Sequence, residues 1–209
     1  MDIIFVRLRS VKNMSSNFDW AGGFTLDFPL ADGIAAGAAS TVRRLSQMRG
    51  MYADAEAAER LIHEKDDPII YEFYELGAPE RAGDLAFGTS IVYPGKVGHE
   101  YFMTKGHFHT ILETAEVYYA LSGTGCMLTE NPEGDVVLHA LEPGRALYVP
   151  PRFAHRSVNT GDVPLVTFFV FRADAGHDYG TIETKGFRSL VLAGGDGLPV
   201  LAANPKWKL

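Results

Sequence analysis

Hydrophobic residues repeat with a helical period in the first third of the chain. Val42, Leu45 and Met48 lie about one turn apart with charged residues between them, so the spacing predicts an amphipathic helix over residues 35–48. The next segment, residues 54–64, is rich in Ala and Glu and predicts a second helix that ends before an Asp-Asp-Pro sequence.

The pattern changes after residue 68. Short runs of β-branched and aromatic residues alternate there with Gly, Pro and Asp, which is typical of strands separated by turns. Short strands without strand–helix alternation predict an all-β fold, an antiparallel β-barrel or jelly roll, rather than a parallel α/β sheet. The predicted strands cover residues 69–74, 85–93, 115–121, 125–129, 136–141, 146–149, 155–159, 165–171 and 187–193, and a further short strand is predicted over residues 3–6, before a loop at 14–17.

Length and composition are those of a single folded domain. The chain has 209 residues, of which 46% are hydrophobic and 22% charged, so it can bury a substantial core. We predict one structural domain in which residues 67–209 form the barrel. Residues 1–66 form an N-terminal extension and helical segment that packs on it.

Charge and cysteine content narrow the classes of function. The formal net charge of -7 argues against a protein that coats nucleic acid. No apolar run approaches the roughly 20 residues that cross a bilayer, so we expect no membrane association. The single cysteine, Cys126, rules out an internal disulfide and suits a reducing compartment, which favours the cytoplasm.

The strongest candidates for a functional site are three histidines and one glutamate. His107 and His109 are two residues apart, and on an extended segment this spacing places both imidazoles on the same side. Glu116 begins a predicted strand that turns it to the same face as Tyr118, where a carboxylate is costly unless it is paired or bound to metal. His155 follows a Tyr-Val-Pro-Pro turn that returns the chain to the barrel.

Three imidazoles and one carboxylate suit a divalent ion such as Zn²⁺, Fe²⁺, Mn²⁺ or Ni²⁺ and leave coordination positions open. An isolated His-x-His pair also arises by chance, and a single buried histidine is more often a hydrogen-bonded core residue. The inward-facing glutamate and the third histidine strengthen the metal interpretation. We assign His63 and His139 to structure or surface, and His99 lies outside the set.

The chain resembles a known family in four blocks. The histidine pattern resembles the two metal-binding motifs of the cupin superfamily, GHFH…E…G from Gly106 and PG…PP…H…N from Pro143. The blocks YPGKVG, TKGHFH, AEVY and ADAGHDYG, at residues 93–98, 104–109, 115–118 and 173–180, are similar to the cupin-type glucose-6-phosphate isomerases of archaea and some bacteria. The similarity extends from about Val42 to Trp207, which covers most of the chain.

The resemblance implies a cupin-type barrel that interconverts glucose 6-phosphate and fructose 6-phosphate. It also implies that His107, His109, Glu116 and His155 hold one divalent ion in each subunit. A proton leaves C2 and returns at C1 through an enediolate, whose charge the metal would stabilise. Glu116 is the candidate that moves the proton. A hydride shift between C1 and C2 uses the same residues without a base, and the sequence leaves both routes open.

The resemblance places the substrate's phosphate at Ser90, Thr104 and Gly106, where hydroxyl groups and a backbone N–H donate hydrogen bonds. The alternative is that Ser90 and Thr104 are ordinary strand residues. Lys105 is expected to point away from its two neighbours and is left out of the site.

The resemblance further implies that His177 and Tyr179 orient substrate oxygens or assist ring opening, and that Tyr118 lines the same pocket. The alternative for these side chains is packing at the mouth of the barrel. Phe171 stands where shorter archaeal members of the family carry a tyrosine, which removes one hydroxyl group and bears on kinetic details and substrate range.

The sequence also leads to an expectation about the protein's partners and leaves several reactions open. The family resemblance predicts a homodimer with a phosphosugar as its small-molecule substrate. The rival functions are a noncatalytic sugar-phosphate-binding cupin, an isomerase that also accepts mannose 6-phosphate, and a metal-dependent oxygenase.

Overall fold

The computed structural model describes residues 18–35 and 38–207. Their strands are β1 (Ser40–Arg44), β2 (Ile69–Leu76), β3 (Leu85–Val92), β4 (Lys96–Val97), β5 (Glu100–Tyr101), β6 (Phe108–His109), β7 (Glu116–Ser122), β8 (Gly125–Glu130), β9 (Val136–Leu141), β10 (Ala146–Val149), β11 (Ala154–Asn159), β12 (Leu165–Arg172), β13 (His177–Asp178), β14 (Ser189–Ala193) and β15 (Pro199–Ala203). The helices are α1 (Leu45–Met48), α2 (Ala55–Glu64) and α3 (Tyr179–Lys185), and a 3₁₀ turn covers Arg49–Met51.

Two antiparallel sheets enclose the core. The larger has the strand order β1-β2-β3-β12-β7-β10, and a three-stranded sheet has the order β11-β8-β9. A four-stranded sheet, β15-β14-β5-β4, and the short pair β13-β6 complete the strand pairing of the described residues. Glu116 therefore stands on the large sheet and His155 on the three-stranded one, with His109 on the short pair.

Alternation along the strands decides which side chains enter the core. In β7, Glu116, Tyr118 and Ala120 are buried while Val117 and Tyr119 between them are exposed. Successive side chains of a strand point to opposite faces, so a buried apolar position two residues away turns Glu116 inward as well. The strand thus carries an acid into the interior on the same face as its hydrophobic anchors.

Each of the nine strands predicted after residue 68 corresponds to a strand in the structure. Two of them have the predicted bounds and the others differ by one or two residues at an end; the strand predicted over 187–193, for example, begins at Ser189. The predicted all-β antiparallel fold with a small helical part is confirmed. The pattern missed the two-residue strands and helix α3, which are too short to show a clear period, and it also missed β15.

The helix predicted over residues 35–48 is wrong for most of its length. Residues 40–44 form β1, which pairs with β2 from Ser40 opposite Tyr74 to Arg44 opposite Ile69. The segment is helical at Leu45–Met48. Two β-branched residues, Thr41 and Val42, fit an edge strand well, and pairing with β2 outweighs the helical spacing of the apolar residues.

The second predicted helix is confirmed as α2. The side chain of Asp54 caps its first turn by accepting a hydrogen bond from the backbone N–H of Ala57 at 2.8 Å. At its other end the backbone N–H of Lys65 donates to the carbonyl of Leu61.

An aromatic segment precedes β1 and packs on the outside of the large sheet. Phe24 stacks on Phe87 with ring centroids 6.1 Å apart, and Phe28 contacts Phe168 at 5.7 Å. The strand predicted over residues 3–6 and the loop over 14–17 lie outside the described residues. The division at residue 66 stays a prediction.

Candidate metal centre and substrate cavity

The chain turns sharply before the two neighbouring histidines. Gly106 has a φ of +77°, and a Cβ atom at this position would lie 2.9 Å from the carbonyl oxygen of His155. Only glycine fits this close approach without strain. The turn lets His107 exchange backbone hydrogen bonds with His155, with N···O distances of 3.3 and 3.1 Å, so the two histidines come from different segments but lie side by side.

Four side chains converge as the histidine pattern predicts. The ligand atoms of His107, His109, Glu116 and His155 all lie within 4.8 Å of one another, and all four residues are buried. Oε2 of Glu116 is 3.1 Å from Nε2 of His109 and 2.9 Å from Nε2 of His155. The structure therefore brings together every residue that the sequence proposed as a metal ligand.

Hydrogen bonds around two of the imidazoles fix which nitrogen carries the proton. The hydroxyl of Thr114 donates to the carbonyl of Ile111 at 2.7 Å, so its oxygen accepts from Nδ1–H of His109 at 2.8 Å. Nδ1 of His155 lies 3.3 Å from the carbonyl of Phe153, which can only accept. Both rings then present the lone pair of Nε2 to the centre of the cluster.

This arrangement fits a cation. With these tautomers, two Nε2 lone pairs face the oxygens of Glu116, and like-signed partial charges repel unless a positive ion lies between them. In addition, the Nε2 atoms of His107 and His155 are buried without a hydrogen-bond partner among the described residues. Buried nitrogens without partners are costly, and a divalent ion satisfies all of them at once.

The pKa shifts of His107 and Glu116 are also consistent with a bound cation. Burial and the neighbouring His155 lower the pKa of His107 well below its usual value, so the ring is neutral at neutral pH. Burial alone would raise the pKa of Glu116, and a positive charge at the centre of the cluster, on His155 or on a bound ion, lowers it below its usual value. Neutral imidazoles and an ionised carboxylate are the forms that bind metal.

A cavity opens beside the cluster. It contains about 500 Å³ of space when the solvent at its mouth is counted. His107, Glu116 and His155 form part of its wall, while His109 lies behind them. The other residues that the sequence proposed for the substrate also line it, and these are Ser90, Thr104, Gly106, Tyr118, His177 and Tyr179.

The polar groups of the proposed phosphate site have free donors. Oγ1 of Thr104 accepts a hydrogen bond from the backbone N–H of Ser157 at 3.0 Å, which leaves the hydroxyl proton of Thr104 to donate. Within the described ranges, the backbone N–H of Gly106 donates to no acceptor. These donors are available to an anion in the cavity.

His177 and Tyr179 reach the cavity from the short pair of strands and from the first turn of α3. His177 pairs with His109 between β13 and β6, and its ring centroid lies 4.4 Å from that of His107. The ring of Tyr179 is 5.3 Å from His107. Burial lowers the pKa of His177 to about 4, so this imidazole is neutral at neutral pH.

Lys105 and Phe171 take different positions around the cavity. Lys105 lies outside its lining, where Nζ binds Oε1 of Glu183 at 2.6 Å. Phe171 lies inside, with its ring 5.1 Å from His177 and 5.9 Å from His109. A phenyl ring therefore occupies the wall next to the candidate metal ligands.

Five further lining residues were not proposed from the sequence: Tyr71, Phe73, Glu75, Ser157 and Phe169. Alternation from recognised residues would have found Ser157 and Phe169, while for the three residues of β2 it shows only that they share one face. Tyr71, Phe73 and Glu75 occupy every second position of β2, Ser157 is two residues after His155, and Phe169 is two before Phe171. Strand period thus extends the site from its recognised residues to their neighbours on the same face.

Comparison with known proteins agrees with the geometry. The family model for glucose-6-phosphate isomerase (GPI) matches residues 42–208. The chain is 49% identical over 187 residues to glucose-6-phosphate isomerase of Thermococcus litoralis, covering 90% of this chain and 96% of that protein. The chain belongs to the glucose-6-phosphate isomerase family. The predicted family resemblance and the predicted enzyme class are both confirmed.

Other relatives extend this similarity. The glucose-6-phosphate isomerase of Pyrococcus furiosus is 50% identical over 186 residues, covering 89% of this chain and 96% of that protein. The enzyme of the same description from Sinorhizobium medicae is 41% identical, with 79% and 78% covered. Among solved structures, oxalate decarboxylase from Bacillus subtilis aligns with a TM-score of 0.42 and 25% identity over 51% of this chain and 26% of that chain.

The helices within the described ranges are all too short to cross a lipid bilayer.

Proposed function

We propose that this protein interconverts glucose 6-phosphate and fructose 6-phosphate at the cavity beside the histidine cluster, with one divalent ion bound there. The observation that supports this most directly is the convergence of four buried ligand atoms within 4.8 Å of one another, in a chain of this family. His107, His109, Glu116 and His155 would hold the ion. It would supply Lewis acidity to the oxygens at C1 and C2 of the sugar.

The free donors orient the substrate. The phosphate at C6 accepts hydrogen bonds from the hydroxyls of Ser90 and Thr104 and from the backbone N–H of Gly106. Tyr118 lies between this end and the metal ligands and closes the wall against the sugar. The reacting carbons are thereby held next to Glu116, at the opposite end of the molecule from its phosphate.

Glu116 carries the hydrogen between C2 and C1 as a proton in the proposed route. His177 and Tyr179 contact the ring oxygen and hydroxyl groups and assist ring opening, because both side chains face the reacting end of the cavity. The rival route is a hydride shift that needs no base. Glucose 6-phosphate deuterated at C2 distinguishes them: loss of deuterium to water supports proton transfer, and its complete retention at C1 supports the shift.

Removal and return of metal test the function as a whole. We expect a chelator to abolish conversion of fructose 6-phosphate, and addition of single divalent ions to restore it with different efficiencies. Full activity after verified metal removal would contradict the proposal. Binding of the phosphosugar without any change in the aldose-to-ketose ratio would indicate a noncatalytic binding protein, and oxygen uptake would indicate an oxygenase. Assays with mannose 6-phosphate measure the range of substrates.

We further propose that two copies pair through the outer face of the large sheet. Val117, Tyr119 and Tyr148 are 37%, 42% and 61% exposed, and Tyr148 lies directly opposite Val117 in the β10–β7 pairing. Adjacent exposed apolar side chains of this size favour an interface over solvent. Light scattering of the wild-type protein and of Tyr148→Asp tests this: we expect a dimer and a shift toward monomer, respectively. A wild-type monomer would contradict it.

A cytoplasmic location is part of the same proposal. Cys126 is buried and free, which suits a compartment that keeps thiols reduced. Localisation of a tagged chain in its native host provides the test.

A further inference from the structure

Glu75 is a carboxylate in the cavity wall to which the proposed reaction gives no role. Its side chain is half-buried, and it makes no hydrogen bond or ion pair with any residue in the described ranges. Burial, reinforced by the charge of Glu116, raises its pKa. A partly desolvated carboxylate without a partner is costly, and it is characteristic of a site where a ligand supplies the missing donors.

The strand register places Glu75 between the two ends of the substrate. Glu75 lies opposite Gly88 in the β2–β3 pairing, and Ser90 of the proposed phosphate site is the next residue of β3 on that face. In the other direction along β3, Ala86 lies level with Phe171, which in turn lies opposite Glu116. Measured along the strand direction, Glu75 is therefore one inward-facing position from the level of Ser90 and one from the level of Glu116, while β3 and β12 lie between its strand and that of Glu116.

This position matches the central carbons of the sugar. A phosphosugar with its phosphate near Ser90 and its reacting carbons near Glu116 presents the hydroxyls of C3, C4 and C5 at the level of Glu75. An ionised carboxylate accepts several hydrogen bonds and donates none, so sugar hydroxyls are suitable partners. Gly88 opposite it has no side chain, and Phe169 and Tyr118 on the next strands form the wall at that level.

We propose that Glu75 accepts hydrogen bonds from the hydroxyl groups on the central carbons of the substrate and thereby determines which sugars the site accepts. This inference rests on the proposed function, because it requires a phosphosugar in the cavity. A hydrogen-bonding role and a purely electrostatic role predict opposite changes in substrate binding when Glu75 is replaced. An unpaired negative charge in the cavity would repel a phosphorylated substrate, so its removal would tighten binding.

Steady-state kinetics of the metal-loaded enzyme test the proposal. We expect Glu75→Ala to raise KM for fructose 6-phosphate about tenfold while kcat changes less than about twofold, because the lost hydrogen bonds are made in ground state and transition state alike. Glu75→Gln keeps an acceptor oxygen without the charge, so its KM should lie between those of the wild type and Glu75→Ala. Glu64→Gln is the control, since it removes a negative charge from an exposed position on α2 that lies outside the lining of the cavity.

Substrate analogues identify the contact itself. For the wild type, we expect at least one of the 3-, 4- and 5-deoxy analogues of fructose 6-phosphate to lose about tenfold in kcat/KM. In Glu75→Ala the same analogue and the parent sugar should react equally well. A lower KM in both Glu75 variants, or an unchanged preference against every deoxy analogue, would overturn the inference. Absence of isomerisation by the wild-type enzyme would instead refute the proposed function, so the two failures are distinguishable.

Discussion

Among individual residues, the protonated nitrogen of each histidine decides what the cluster can bind. The spacing of the histidines indicates three imidazoles that meet, but a proton on Nε2 would turn each of them from a ligand into a donor. Thr114 and the carbonyl of Phe153 hold Nδ1–H of His109 and His155, respectively, and so leave Nε2 free. These supporting contacts are local, yet no spacing rule identifies them.

Replacement of Glu116 by Gln tests the central acid. The amide has nearly the same shape but no charge, so we expect kcat/KM to fall by about 100-fold or more, together with weaker metal binding. The fold should persist, as circular dichroism can verify. Glu113→Gln is a suitable control because this exposed residue pairs with Arg152 at the surface. An isomerisation rate near that of the wild type would rule out both roles of Glu116.

Thr114→Val tests the contact that orients His109. The substitution keeps the shape and removes the hydroxyl that accepts from Nδ1–H. We expect metal affinity to fall by about tenfold or more, as is common when a partner of a ligating histidine is lost. Competition with a chelating dye measures this affinity. Thr89→Val, which alters a buried threonine on β3 whose hydroxyl donates to the carbonyl of Gly33, serves as the control, and equal affinities in both variants would contradict the expectation.

Among strands and loops, the backbone conformation is most tightly constrained in the segment before His107. Its backbone passes so close to β11 that the φ of Gly106 is positive and the space for a side chain is absent. Strand β6 is only two residues long. Its position therefore depends on this turn and on the bridge between His107 and His155 more than on its pairing with β13.

The substitution Gly106→Ala tests this constraint on the backbone. A Cβ atom would meet the carbonyl of His155 and the ring of Phe187, and the backbone conformation would be strained. We expect a loss of about 1–3 kcal/mol in the free energy of unfolding, together with weaker metal binding. Urea denaturation provides the measurement. Gly195→Ala has open space and no such backbone conformation, and if it costs as much stability as Gly106→Ala, the explanation fails.

Strand patterns were more informative than helical ones. The strands after residue 68 could be predicted because each buries one face and is bounded by turn residues. β1 could not, because its apolar residues also fit a helical spacing and its pairing partner, β2, begins 25 residues after Arg44. Pairing with a distant strand decides such cases, and it leaves no local signal.

In the molecule as a whole, the packed sheets protect the free thiol. Burial raises the pKa of Cys126 to about 12, so almost no thiolate is present at pH 8. We therefore expect the folded protein to react with a thiol reagent at least about 100-fold more slowly than the protein unfolded in guanidinium. Absorbance during the reaction measures both rates. Rapid modification of one thiol per chain in the folded protein would show that this part of the core opens.

The residues that line the cavity fall into two groups, those that the sequence proposed and those that only the fold revealed. Ser90, Thr104, Gly106 and Tyr118 were proposed from the family resemblance and do line it. Glu75 was not, because β2 carries no recognised motif and a glutamate in a strand is usually a surface residue. Only the pairing of β2 with β3 shows that its inward face continues the wall of the site.

The order of residues along the chain was enough to establish the all-β class, the family and the four ligand candidates, since strand alternation and short motifs are local properties. Folding decided the rest: which imidazole nitrogens are free, that residues 40–44 pair with β2, and that an unpaired carboxylate stands midway along the cavity. These depend on contacts between residues far apart in sequence, whose energies no local pattern encodes.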